Sequence, residues 1–177
     1  MARDIKFLVK DLEDATIEGA RQACVQIMND LVEAGPGYTG EFSASWYAVA
    51  PGKSPGPPRN QTGLYTYTLR NVPKTKFKTT GVYTIVNTSS YADEAMDLVP
   101  YTPGPVPNRT VTSKEIFTGK RDYGNTRGEL SPGGKNTSTA PADWWVTFGR
   151  GGKLDSATRT GFDTGFKRTF GKPRGFK

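Results

Sequence analysis

Residues 35–51 read Gly-Pro-Gly-Tyr-Thr-Gly-Glu-Phe-Ser-Ala-Ser-Trp-Tyr-Ala-Val-Ala-Pro, and this stretch constrains the fold more than any other in the chain. A proline directly after a glycine cannot continue a helical ladder, so Gly35 and Pro36 stop whatever helix precedes them. Gly37 and Gly40 supply the backbone freedom for a tight reversal. From Phe42 the residues alternate, with Phe42, Ala44, Trp46 and Ala48 on one side and Ser43, Ser45, Tyr47 and Val49 on the other. That period predicts a half-buried strand over residues 42–50, its serines and tyrosine on the wetter face.

Upstream, Ile17, Ala20, Cys24, Ile27, Met28 and Leu31 recur at three- and four-residue steps, predicting a helix over residues 4–34 with Glu18, Arg21, Gln22 and Asn29 turned away from the stripe. Ile5, Leu8 and Leu12 follow a slightly different stripe, which predicts a bend or break near Asp11 to Asp14. Gly19, Ala20 and Ala23 are small enough to permit close packing on a sheet or on another helix.

Downstream, residues 51–59 form a loop by their proline and glycine content. Alternation predicts strands over residues 64–72 and 82–87, with a short third candidate at 77–80. Short connections between them favour an antiparallel meander. Ser89 or Ser90 can cap a short helix over residues 91–98, with Asp93 and Glu94 in its first turn.

Periodicity then stops. Residues 99–142 carry prolines at 100, 103, 105 and 107 and the basic residues Arg109, Lys114, Lys120, Arg121, Arg127 and Lys135, making a long irregular basic arm. Within it, residues 110–117, with Val111, Ile116 and Phe117, are a candidate strand. Order resumes at the apolar cluster Trp144, Trp145, Val146 and Phe148, which Asp143 can cap. A second amphipathic helix follows over residues 154–170, where Phe162, Phe166 and Phe170 repeat every four positions. A basic tail occupies residues 171–177. The expected fold is therefore α+β in one unit over residues 1–177: a long N-terminal helix and a C-terminal helix on a small antiparallel sheet, with the arm at about 99–142.

The chain has 177 residues, a formal charge of +7 and no histidine. Absence of histidine removes the commonest general base and the commonest metal ligand, and the one cysteine, Cys24, leaves no Cys/His zinc site to build. Carboxylates cluster at Asp11, Glu13 and Asp14 and at Asp93, Glu94 and Asp97, where helix placement explains them without catalysis. Gly133-Gly-Lys-Asn-Thr-Ser lacks the spacing of a phosphate loop. No enzyme, cofactor or metal is expected, and neither a membrane span nor a secretory signal. Basic residues interleaved with Tyr101, Phe117 and Tyr123 leave a nucleic-acid-binding module as an alternative to a protein-contact role, and a hydrolase as a more distant one.

The order of motifs resembles one known family. A long helix ending in Glu33-Ala-Gly-Pro is followed by Tyr38-Thr-Gly-Glu-Phe-Ser-Ala-Ser-Trp46, by Val82-Tyr-Thr-Ile-Val-Asn87, by Tyr91-Ala92 opening a helix, and by an aromatic cluster and closing helix. This is similar to the neck and tail-completion proteins of tailed bacteriophages, over about residues 1–98 and 143–170. The chain departs from the family pattern in lacking a glycine after Tyr91-Ala-Asp-Glu and in the length of its arm. The resemblance implies a virion subunit, assembled in the host cytoplasm, forming a ring of six or twelve copies at the head-tail junction. Its implied partners are a head-closure or connector protein, a tail terminator or tail tube protein, and genomic DNA in the passage. Expected inter-subunit contacts are Tyr38, Trp46, Tyr101, Ile116, Phe117 and Tyr123, and expected contacts with DNA or an acidic partner are Arg109, Lys114, Lys120, Arg121, Arg127 and Lys135.

Overall fold

The computed structural model describes residues 5–35, 40–61, 65–90, 92, 96 and 144–170. Helix α1 (Ile5–Ala34) spans 30 residues, about 45 Å at 1.5 Å per residue. A single helical turn, α2 (Glu41–Ala44), leads into strand β1 (Trp46–Val49), which pairs antiparallel with β2 (Thr84–Asn87). Helices α3 (Trp144–Arg150) and α4 (Lys153–Phe170) follow. The architecture is α+β, as the sequence pattern predicts. Among the described residues no helix is long and apolar enough to cross a membrane.

α1 is packed on two sides by two different means. On one side α4 lies antiparallel to it, because a Cβ added at Gly161 would meet Ala23 and one added at Gly165 would meet Glu18. The facing residues are small on both helices: Ala15, Gly19 and Ala23 on α1, and Ala157, Gly161 and Gly165 on α4, each series stepping by four and buried. An added Cβ at Gly161 would sit 2.6 Å from the Ala23 Cα, and one at Gly165 would sit 2.4 Å from the Glu18 carbonyl oxygen. Each glycine costs a helix about 1 kcal/mol relative to alanine. The gain that offsets this is backbone-to-backbone approach along the helix pair.

Which side of α4 is buried differs from the sequence expectation. The Phe162, Phe166 and Phe170 ladder marks the edge of the contact rather than its centre: Phe162 and Phe166 are half-buried, stacked at 5.8 Å, and Phe170 is exposed. Phe162 closes over Gly19, whose absent side chain makes the space.

On its other side α1 carries the large residues Cys24, Met28, Leu31 and Val32, which join Phe42, Trp46, Tyr67, Val72, Phe77, Trp144 and Phe148 in the core. Edge-to-face aromatic contacts tie the elements together: Phe42 to Trp46 at 5.3 Å and Phe42 to Trp144 at 5.9 Å.

Four further expectations need correction. The helix does not break between Asp11 and Asp14; it runs through, and both aspartates are buried, Asp14 paired with Lys74 at 3.1 Å. Residues 42–44 are helical, not extended. Gly40 at φ 92° admits the turn, and the Ser43 hydroxyl donates back to the Gly40 carbonyl at 2.9 Å. Ser43 and Ser45 are accordingly buried, not on a wet face.

Residues 65–72 form no strand either. Their backbone groups bond to side chains of α1 instead: Asn29 both accepts from the Tyr67 N–H at 2.8 Å and donates to its carbonyl at 3.1 Å, and Arg21 donates to the carbonyls of Val72 at 2.6 Å and Leu69 at 3.0 Å. The polar residues that break the α1 stripe are thus the ones that hold this segment. The candidate strand at 77–80 is also absent, Phe77 stacking on Tyr83 at 4.1 Å in place of a ladder. Of the expected helix at 91–98, Ala92 and Met96 are helical and the rest lies outside the described residues.

Two outcomes test the packing. Gly161→Ala is expected to lower stability by about 1–3 kcal/mol through backbone overlap. Gly149→Ala, where an added Cβ meets nothing within 4 Å, is expected to raise it by about 0.4–1 kcal/mol; urea midpoints of both variants against wild type decide. Separately, burial pushes the Cys24 thiol from its ordinary 9.0 up to about 11. Above pH 9 the unfolded chain then releases a proton that the folded chain keeps, so stability falls as pH rises. Cys24→Ala should remove about 1 kcal/mol of that loss at pH 10, read as the difference between urea curves at pH 8 and pH 10.

Candidate protein-docking groove

Two strands have two outer edges, and this sheet treats them differently. The Thr88 N–H bonds to the Ser45 carbonyl at 3.0 Å, which makes that pair one of the hydrogen-bonded pairs of the ladder. Alternation along the register then assigns bonded pairs to Tyr47–Val86 and Val49–Thr84, and turns the backbone groups of Trp46 and Ala48 on β1, and of Ile85 and Asn87 on β2, away from the partner strand.

At the β1 edge, side chains meet the outward backbone groups of Trp46. The Trp46 N–H donates to the Tyr67 hydroxyl at 2.7 Å, and that hydroxyl donates onward to the Ser43 carbonyl at 2.9 Å. Arg59 donates to the carbonyls of Ala44 at 2.6 Å and Trp46 at 3.4 Å. Its guanidinium also lies 4.2 Å from the Tyr47 ring centre and within 5.7 Å of the Tyr65 and Tyr67 rings. The Tyr47 hydroxyl in turn donates to the Pro57 carbonyl, and an added Cβ at Gly56 would strike the Tyr47 ring. The proline-rich loop is therefore fastened across β1 and supplies its edge cover. Burial pushes the Tyr67 hydroxyl up from its ordinary range, so it stays a protonated donor.

Among the described residues no hydrogen bond meets the outward backbone groups of Ile85 and Asn87 on β2. Beside it opens a groove of about 550 Å³, with Trp46 as its floor, Ile27 and Leu31 of α1 behind, and Trp145, Val146, Phe148 and Leu154 as the facing wall. Arg150 stands among the lining residues as the charged group. Tyr83, Thr84 and Ile85 all border it. By the register, Tyr83 and Ile85 fall on the same face as Trp46, so the groove lies against that face of the sheet with Thr84 at its border.

The wall is a short helix with apolar residues on every side. Trp144 and Phe148, four apart, enter the core, which leaves Trp145 and Val146 exposed. Trp145 stacks over Trp46 at 6.2 Å, and the buried Trp46 indole N–H meets no acceptor among the described residues. Val82 beside β2 is 78 % exposed. Such a surface suits a protein strand or apolar side chain better than a charged small molecule. Among the described residues no group of three metal-ligating side chains occurs.

Of the residues singled out from the sequence, Trp46 alone lies among those described, and its side chain is buried in the chain's own core as the groove floor. Tyr38, Tyr101, Ile116, Phe117, Tyr123, Arg109, Lys114, Lys120, Arg121, Arg127 and Lys135 lie outside the described residues. Sequence reasoning did not single out Tyr83, Ile85, Val146 or Leu154. A usable signal was present: four large apolar residues within the five positions 144–148 exceed what one helix face can bury.

Comparison with protein-family models, with curated proteins and with solved structures finds no match for this chain.

Tyr67→Phe is expected to destabilise by about 1–3 kcal/mol, since it strands the buried Trp46 N–H and removes the hydroxyl's own hydrogen bond to the Ser43 carbonyl, and a chemical denaturation curve measures the loss.

Proposed function

We propose that this chain is a structural subunit of a tailed-phage head-tail junction, working as one copy in a ring between the connector or head-closure protein and the tail. The observation that carries the assembly reading is the course of the α1 stripe. Ile5, Leu8, Val9 and Leu12 fall at i, i+3, i+4 and i+7, in helical phase with the Ala15, Gly19 and Ala23 series on which α4 packs. α4 is 18 residues against 30 for α1, and its partner contacts run from Ala23 back to Glu18 by Gly165. The same stripe therefore continues past the end of α4 with its four large apolar residues between 45 % and 74 % exposed. A helix face with this pattern requires a partner to bury it.

What supports the phage junction in particular is the motif order described above, from Tyr38-Thr-Gly to Tyr91-Ala92. The two supports are independent, one physical and one of resemblance. In this role the chain performs no reaction: it bears load by gripping neighbours, and the basic arm meets DNA or an acidic partner surface in the passage.

Native mass spectrometry and negative-stain microscopy of the purified protein are expected to find rings of six or twelve copies. Leu8→Asp with Leu12→Asp is expected to weaken association at least tenfold while leaving the urea midpoint of the fold nearly unchanged, because both positions are solvent-exposed within the subunit. A protein that stays monomeric at every concentration and in the presence of phage connectors would overturn the assembly reading. In the phage that encodes it, a null mutant should accumulate DNA-filled heads and finished tails that do not join; normal particles would overturn the junction reading.

A further inference from the structure

We infer that the open edge of β2, with the groove beside it, receives an extended strand from a second copy of this chain, contributed by residues 110–117. That the donor is a neighbouring copy rests on the assembly reading above.

The receiving site is defined by what it lacks. The outward N–H and C=O of Ile85 meet no partner among the described residues, whereas the outward groups of Trp46 on the other edge are met by Tyr67 and Arg59. An unpaired sheet edge is a template for another strand, and natural folds cover such edges unless they are used. Next to this one runs an apolar trough whose walls, Trp145, Val146 and Leu154, stay exposed. Main-chain hydrogen bonds to Ile85 together with apolar side chains at alternate positions satisfy both halves of the site.

The donor follows from the chain outside the described core. Residues 97–143 contain prolines at 100, 103, 105, 107, 132 and 141, and proline cannot donate to a ladder, so the long proline-free run is 108–131. Gly119, Gly124 and Gly128 interrupt its second half. That leaves Thr110-Val-Thr-Ser-Lys-Glu-Ile-Phe117, rich in β-branched and aromatic residues, with Val111 and Phe117 six apart and so on one face. The 26 residues 118–143 that connect it to Trp144 reach on the order of 85 Å when extended, nearly twice the length of α1, which is ample to cross to a neighbour. The isolated chain, moreover, leaves Val82, Trp145, Val146 and Leu154 exposed.

The test uses full-length protein carrying the photo-cross-linker p-benzoylphenylalanine in place of Val82, assembled from an equal mixture of isotopically light and heavy chains. Cross-linked peptides are expected to join position 82 to residues 110–117, with light-to-heavy pairs at the frequency random mixing gives. Val111→Asp with Phe117→Asp, which leaves every described residue in place, should reduce that product at least tenfold. Should native mass spectrometry find rings while the cross-links join only chains of the same label, the strand is donated within its own chain: the inference falls and the assembly reading stands. Capture of any other segment overturns it as well. Absence of rings removes the assembly reading and this inference together.

Discussion

The close approach of α1 and α4 is the constraint on which everything else rests. Two helices can come this near only if the facing positions carry almost no side chain, and the paired series Ala15, Gly19, Ala23 and Ala157, Gly161, Gly165 meets that requirement over two turns. The glycines weaken each helix taken alone by about 1 kcal/mol apiece, so the pair is stable as a unit rather than as two independent helices. With one side of α1 spent on this contact, its other side is free to carry the large residues that gather the sheet, the aromatic cluster and the segments between them.

The second organising feature is how little sheet there is and how its polar backbone is met. Four paired residues per strand cannot hold a fold by themselves. Asn29 and Arg21 on α1, and Tyr67 and Arg59 on the connecting segments, take the place that further strands would occupy, answering buried carbonyls and N–H groups one by one. Side chains that bond backbone this way fix the segments in position without creating new edges. The exception is β2, whose outward groups meet an apolar trough instead. Tyr67 and Arg59 meet the outward groups of Trp46 on β1, whereas those of Ile85 on β2 have no such partner among the described residues, and an unmet strand edge is where another strand can add.

The uncovered stripe at the start of α1 and the groove at β2 lie on different parts of the molecule, one made by helix phase and one by strand register. A ring subunit needs two unlike surfaces, because a head-to-tail contact joins one patch of a copy to a different patch of the next.

Local pattern alone determined the long first helix, its stop at Gly35, the final helix, the extended runs at 46–49 and 84–87 and the small residues that allow close packing, because each is written in spacing that acts within a few residues; which runs pair was decided by the fold. Tertiary structure alone decided three other things. It chose the glycine stripe over the phenylalanine ladder as the buried side of α4, since a deep contact depends on what α1 offers opposite. It turned residues 65–72 from a strand into a segment held by Asn29 and Arg21, because alternation reports which side chains are buried but not where backbone hydrogen bonds go. And it made the groove, whose floor comes from residue 46, its strand edge from residues 83–85 and its wall from residues 145–154. No local period can encode a surface assembled from positions some hundred residues apart, for only the folded chain brings them within reach of one another.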